Sequence, residues 1–283
     1  MHIVPGDPFQ DEQGVPKEVL EAIRHKYGLD QPILVQYGQY LQRLISGDLG
    51  VSLRYPSESV AKIIIQGFPI SIRLGLQALL IALPLGIFFG TLSAYRSTRW
   101  YDITVTGAST LGLSIPNFVI AATLQLIFAL KLNLFPVARW EGFSYTILPS
   151  IALAIGPMCG ITRMMRASML DTLSKDWVTT ARMKGLPEWK IILVHIIPNA
   201  ILPVLHYMGP TTANLLVGSF VIERVFSIPG LGQWFVLGVM SRDYPVISGL
   251  TLFYSVILYL VHSGIETVTN IFNKRLSTRE DAR

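Results

Sequence analysis

The residue types that enzymes use for chemistry are few and scattered in this sequence. Its five histidines lie far apart, and the single cysteine, Cys159, sits inside an apolar stretch. No His-Glu-x-x-His or Cys-x-x-Cys spacing gathers metal ligands, and no glycine precedes a lysine as a phosphate-binding P-loop requires. A Gly-x-Ser-x-Gly nucleophile motif is also missing. We therefore predict a protein with no metal site, no cofactor site and no catalytic centre of its own.

The composition indicates a membrane protein. Charged residues make up 14% of the 283 residues and hydrophobic residues 51%, against about 25% charged residues in soluble proteins. Five apolar segments are long enough to cross a hydrocarbon layer of about 30 Å. We place these spans near residues 68–94, 103–131, 147–166, 192–217 and 246–272. In a membrane protein, basic residues collect in cytoplasmic loops, so the net charge of +5 informs the orientation of the chain. We expect no nucleic-acid partner.

Several neutral polar residues lie inside the predicted spans. Amide and imidazole groups need hydrogen-bond partners in hydrocarbon, so each marks either a contact between helices or a pathway for a solute. Hydrogen bonding between helices is the simpler interpretation for any one of them. The candidates for a pathway are Asn117, Gln125, Asn199, His206 and Asn214. Two glycine pairs, Gly86 with Gly90 and Gly156 with Gly160, have the spacing that lets helices pack closely within one chain.

An island of charge from Ser174 to Lys190 separates the third and fourth spans. Asp176 can cap a short helix there, and Gly185 and Pro187 end it, because glycine adopts the left-handed conformation and proline cannot continue a helix. We predict one helix over residues 176–184, outside the membrane. An amphipathic connector with no particular role is the alternative interpretation.

This island resembles the EAA loop of ABC importer permeases, in the form found in the peptide and nickel permease family. The run from Asp176 through Leu186 and the later Pro198 carry the resemblance, although Thr179 and Thr180 replace the usual Glu-Ala. The resemblance implies that this loop, residues 167–191, couples the permease to an ATPase. Its implied coupling residues are Asp176, Thr179, Thr180, Ala181, Arg182, Lys184, Gly185, Pro187 and Pro198.

A second motif lies between the fourth and fifth spans and resembles the family's other signature. Pro229-Gly230 predicts a turn, and Gly232 allows close backbone packing. We expect a re-entrant or interfacial loop on the outer face, which ion pairs among its charged residues hold in place. The residues of this outer-loop signature are Glu223, Phe226, Pro229, Gly230, Gly232, Arg242 and Asp243, with Arg224 as a further ion-pair candidate.

The resemblance implies an all-α polytopic membrane protein with the type I, MetI-like transmembrane domain of ABC importers. The implied partners are a second, C-type permease, two ATPase subunits that hold ATP and Mg, an extracytoplasmic solute-binding protein and the bilayer. Its implied function is import of dipeptides or oligopeptides through the bacterial cytoplasmic membrane. A nickel or glutathione importer of the same family, or a membrane scaffold without transport, are the alternatives.

Basic residues are dense in alternate loops, which places the island at 174–190 and the C-terminus in the cytoplasm. Residues 1–66 then lie outside, with no signal peptide to carry them across. In the family, a motif like Val4-Pro5-Gly6-Asp7-Pro8 follows a first membrane helix. We expect residues 1–66 to be the end of such a helix and an extracytoplasmic segment, and residues 67–283 to be the permease domain. A protein with five spans is the alternative.

Overall fold

The computed structural model describes residues 30–95 and 100–281, with side chains up to Lys274. The motif at residues 4–8 and the helical stretch expected from Lys17 to Lys26 lie outside the described residues. Within them the chain is helical, with one isolated antiparallel bridge between Val51 and Ser59. The first described helix, α1 (Ile33–Ile45), lies where the sequence predicts one. A turn with positive φ at Gly47 and Gly50 follows it.

Three helices are long and apolar enough to cross a membrane, and each contains one of the predicted spans. They are α2 (Val60–Tyr95), α5 (Ser144–Leu173) and α11 (Tyr244–Asp281). Helix α2 begins eight residues before the expected span at residue 68. A 2.8 Å ion pair joins Lys62 in its first turn to Glu58, just before the helix. The apolar composition therefore predicts which part of α2 suits the hydrocarbon layer, but it does not predict where the helix begins.

The two other predicted spans, residues 103–131 and 192–217, are each a pair of helices that meet at a bend. The first consists of α3 (Trp100–Ser114) and α4 (Asn117–Lys131), which meet at 103°. Pro116 lies at the break, because proline ends one helix and suits the start of the next. The second consists of α7 (Glu188–Ala200) and α8 (Leu202–Val217), with the short α9 (Phe220–Val225) continuing it, and it bends by 49° at Ile201.

Two short helices connect longer elements of the bundle. Helix α6 (Asp176–Met183) joins α5 to α7, and α10 (Leu231–Met240) joins α9 to α11. With eight residues at 3.6 residues per turn, α6 is about two turns long. The sequence prediction of a short helix in the charged island is confirmed, one residue shorter than expected.

Helix α5 lies at the centre of the bundle and packs in parallel with α2. A Cβ added to Gly86 would lie 2.6 Å from Ile161 Cγ2, and one added to Gly90 would lie 2.7 Å from Met165 Cβ. The later glycine of α2 meets the later residue of α5, so residue numbers increase in the same direction along both helices and the two helices are parallel. Gly160 of α5 meets the ring of Tyr207 on α8 in the same way. Gly86, Gly90 and Gly160 therefore serve as packing sites within the chain, as predicted, whereas a Cβ at Gly156 would meet only Asn117 Oδ1, at 3.6 Å.

We predict that Gly75→Ala destabilises the bundle, whereas Gly107→Ala does not. A Cβ at Gly75 would lie 2.7 Å from the carbonyl carbon of Leu215, a backbone atom that cannot turn away. Overpacking of this kind costs about 1–3 kcal/mol. A Cβ at Gly107 meets nothing within 4 Å, which makes it the matched control. The melting temperature of each purified protein in detergent is the measurement, and equal values for the two variants would contradict the packing described here.

Candidate functional site

The charged island folds into a helix with one buried and one exposed face. Val178 is 0% exposed and belongs to the main core, with Trp177, Ala181 and Leu186 packed beside it. Met183, in contrast, is 77% exposed. We define the coupling surface as the exposed residues of this island from Asp176 to Pro187: Asp176, Thr179, Thr180, Arg182, Met183, Lys184, Gly185 and Pro187.

The end of α6 has the hydrogen bonds of a Schellman motif. The N–H of Gly185 donates to the carbonyl of Arg182 (2.9 Å), and the N–H of Leu186 donates to that of Ala181 (3.3 Å). Gly185 has a φ of 77°, which a glycine adopts without strain. A Cβ there would meet nothing within 4 Å, so backbone conformation and not space requires the glycine. The prediction that Gly185 ends the helix is confirmed.

The expectation that Asp176 caps the helix is wrong. Lys175, not Asp176, occupies the N-cap position, and no side chain caps the helix. Asp176 lies in the first turn, where its charge favours the positive end of the helix without capping it. Pro198 lies in α7, ten residues beyond Glu188, or about 15 Å along a helix.

An ion pair joins α6 to the start of α7. Arg182 Nε lies 2.7 Å from Glu188 Oε1, and each side chain is 43% exposed. Pro187 caps α7 from an extended conformation. An exposed pair of this kind contributes little to stability. It bridges the two helices on either side of the Gly185 turn.

The outer signature folds around a buried carboxylate. Glu223 is 1% exposed and accepts hydrogen bonds from the hydroxyl of Ser71 (2.8 Å) and the N–H of Gln233 (3.1 Å). Ser71 in turn accepts the N–H of Leu231 at 2.9 Å. A Cβ at Gly230 would lie 2.5 Å from Glu223 Cδ. The glycine is therefore required because the carboxylate lies directly against the backbone of the turn.

A second buried carboxylate holds the start of α11. Asp243 is 2% exposed and accepts the hydroxyl of Ser52 and the N–H groups of Leu53 (3.2 Å), Arg54 (3.3 Å) and Val246 (3.4 Å). It thereby ties the segment after α1 to the outer signature.

The ion pairs that the sequence suggested for this loop do not form. Among the residues that the structure describes, neither Glu223 nor Asp243 pairs with Arg224 or Arg242. The carboxylates accept hydrogen bonds from backbone N–H groups and serine hydroxyls instead. Phe226 is buried, and its carbonyl accepts the N–H of Arg139, from the loop between α4 and α5, at 2.9 Å.

The candidate pathway residues fall into two groups. Gln125 donates to the carbonyl of Val137 (2.7 Å) and Asn199 donates to that of His195 (2.8 Å), so both amides have local backbone partners. Asn117, His206 and Asn214 are exposed. His206 and Asn214 lie on the same helix, α8, whereas Asn117 begins α4.

Sequence reasoning missed a polar cluster that joins α2, α3 and α5. Asp102 accepts two hydrogen bonds from Arg166, Nε to Oδ1 at 2.7 Å and Nη2 to Oδ2 at 2.8 Å. The hydroxyls of Ser93 and Thr106 also donate to Asp102. The available signal was one acidic and one basic residue in apolar surroundings, since such charges are paired when buried.

A bundle of membrane helices with a short, exposed helix between two of them is the arrangement that the resemblance to ABC importer permeases implies. The chain belongs to the family described as the binding-protein-dependent transport system inner membrane component, which matches residues 82–278. It is therefore a multi-pass permease component of the inner membrane.

Relatives match over nearly the whole chain. The chain is 41% identical to the dipeptide transport system permease protein DppB of Bacillus subtilis (strain 168), over 98% of this chain and 90% of that protein. It is 38% identical to the oligopeptide transport system permease protein OppB of Escherichia coli (strain K12), over 98% of this chain and 91% of that protein.

Solved structures share the fold at low sequence identity. The MetNI methionine ABC transporter in inward-facing conformations matches with a TM-score of 0.58 and 16% identity, over 74% of this chain and 96% of that chain. An amino acid ABC transporter crystallised with histidines matches with a TM-score of 0.54 and 17% identity, over 76% of this chain and 94% of that chain. The expected MetI-like permease fold is confirmed.

We predict that Asp102→Asn destabilises the protein by about 3 kcal/mol, the lower end for a buried pair that loses one partner. The amide cannot accept both guanidinium hydrogen bonds, and Arg166 keeps its charge beside α2 and α3. Asp171→Asn is the matched control, because the Asp171 side chain is 73% exposed and lies 3.5 Å from Lys175. Melting temperatures in detergent compare the two variants. A similar small effect of both would show that the cluster does not hold these helices together.

Proposed function

We propose that this chain is the B-type permease subunit of an ABC importer for dipeptides or oligopeptides. The observation that carries the proposal is the similarity to DppB and OppB over 98% of the chain. The exposed coupling surface on α6 supports it, since a permease without nucleotide chemistry needs a site at which an ATPase can act. The substrate class follows from the names of these relatives.

The proposed complex contains this chain, a C-type permease, two ATPase subunits and an extracytoplasmic solute-binding protein. ATP and Mg bind to the ATPase subunits, and this chain supplies no cofactor site. We place the coupling surface and the C-terminus in the cytoplasm, because the island carries Arg182, Lys184 and Lys190 and the C-terminal segment is also basic. The outer signature then faces the binding protein's side of the bacterial cytoplasmic membrane.

The mechanism is a change between two states that the ATPases drive. Closure of the ATPase subunits moves the docked α6, and α5 and α7 carry that movement into the bundle. Val178 and Trp177 hold α6 to the core, and the Arg182–Glu188 pair holds it to α7. Displacement of α6 therefore moves both neighbouring helices together and not α6 alone.

Purification of the complex through a tag on this subunit tests the proposed assembly. We expect two ATPases, a second permease and a solute-binding protein to co-purify, with peptide bound to the last of these. Mass spectrometry identifies the subunits and the ligand. Recovery of the chain alone would overturn the assembly, and nickel or glutathione in the binding protein would overturn the substrate class.

We predict that Gly185→Val lowers ATP-driven peptide uptake about tenfold or more without preventing membrane insertion. A left-handed conformation costs a residue with a Cβ about 1–2 kcal/mol, and more for a β-branched one, while 1.4 kcal/mol is already a tenfold change in an equilibrium. Gly185→Asn is the control, because asparagine tolerates this conformation. Uptake and ATPase stimulation are measured in proteoliposomes of the full complex. Normal values for the valine variant would show that the Gly185 turn is not needed for coupling.

A further inference from the structure

Every exposed residue of α8 lies on one face, and none of them is a typical lipid-facing residue. The four are Pro203, His206, Pro210 and Asn214, which we call the neutral stripe. Their spacing of three, four and four residues confines them to an arc of about 80° on a helix with 3.6 residues per turn. The remaining residues of α8 are buried or half-buried.

The neutral stripe lies at the middle depth of the bundle. Tyr207 meets Gly160, which is near the midpoint of α5. From Pro203 to Asn214 the helix rises by about 16 Å, over half of a hydrocarbon layer of about 30 Å. Polar groups at this depth face the bundle interior or a water-filled cavity and not lipid. By contrast, α11 exposes apolar residues, among them Val256, Tyr259 and Leu260.

The backbone adds hydrogen-bond acceptors to this face. Pro203 and Pro210 have no N–H, so they cannot donate to the carbonyls of Asn199 and His206, four residues before each. A freed carbonyl in a membrane helix needs water, a side chain or another partner. The neutral stripe thus offers main-chain carbonyl oxygens in addition to its side chains.

The side chain of His206 is oriented by its own helix. Its Nδ1 lies 2.9 Å from the carbonyl of Leu202. Since a carbonyl only accepts, Nδ1 carries the proton, and in the neutral ring Nε2 is then an acceptor. Asn214 contributes both a carbonyl and an amide N–H₂. The stripe holds no Asp, Glu, Lys or Arg, so it presents a surface rich in hydrogen-bond acceptors.

We propose that the neutral stripe lines the water-filled passage of the permease and binds the main chain of a peptide. Peptide N–H groups and the terminal ammonium donate to the freed carbonyls and to His206 Nε2, and peptide carbonyls accept from Asn214. A surface that contacts only main-chain groups suits substrates whose side chains vary. This inference rests on the proposed function for its ligand, while the passage itself follows from the exposure of the stripe.

Thiol labelling of the full complex tests whether the stripe meets water. Single cysteines replace His206, Pro210 or Asn214 in a Cys159→Ala background, with Val256→Cys and Leu260→Cys as exposed apolar controls. We expect a charged, water-soluble methanethiosulfonate to modify the stripe positions at least about tenfold faster, because the thiolate is the reactive form and apolar surroundings suppress it. Rates no faster than those of the controls would overturn the proposal and place the stripe against the second permease or lipid.

Protection by substrate tests the ligand. A dipeptide that the wild-type complex imports should slow labelling at position 214, and its N-methylated analogue, which lacks the main-chain N–H, should not. Equal protection by both, or none by the imported dipeptide, would overturn the main-chain contact. If the wild-type complex imports no peptide, the proposed function fails, while labelling still decides whether the stripe lines a passage.

Discussion

The close contact between α2 and α5 is the interaction on which the rest of the bundle depends. Lipid tails are as apolar as leucine, so membrane helices gain little from hiding apolar side chains and associate through close packing. Gly86 and Gly90 allow the two backbones to approach. Helix α8 also packs closely at two glycines, Gly160 of α5 and Gly75 of α2. The three helices are therefore held by small residues at a few fixed points.

Buried carboxylates hold further segments of the bundle together through hydrogen bonds. Glu223 accepts hydrogen bonds from Ser71 and Gln233, and Asp243 accepts from the backbone of residues 53 and 54. At the other end of the bundle, Asp102 binds Arg166 in a bidentate pair. A buried acceptor is costly unless its donors are in place, so each carboxylate specifies one arrangement of the segments that meet there.

The sequence predicts the helical class, the apolar segments and the α6 helix, because apolar length, glycine and proline act locally. It does not predict the 103° bend at Pro116. Other prolines, Pro69 and Pro84 in α2 and Pro149 in α5, lie inside helices that remain continuous. Whether a proline bends or breaks a helix depends on neighbours that satisfy the freed carbonyl. The Asp102–Arg166 pair was missed for a related reason: 64 residues separate its partners, and only the packed bundle brings them together.

Between the coupling surface and the neutral stripe, residues Ile191–Ile196 are π-helical. A π-helical turn closes its hydrogen bond one residue further along the chain than an α-helical turn. Each residue of an α-helix turns the chain by about 100°, so deletion of one residue that relaxed this segment would rotate α8 by about that angle. His206 and Asn214 would then face another direction. The number of residues in this segment, and not the identity of any side chain, fixes where the stripe points.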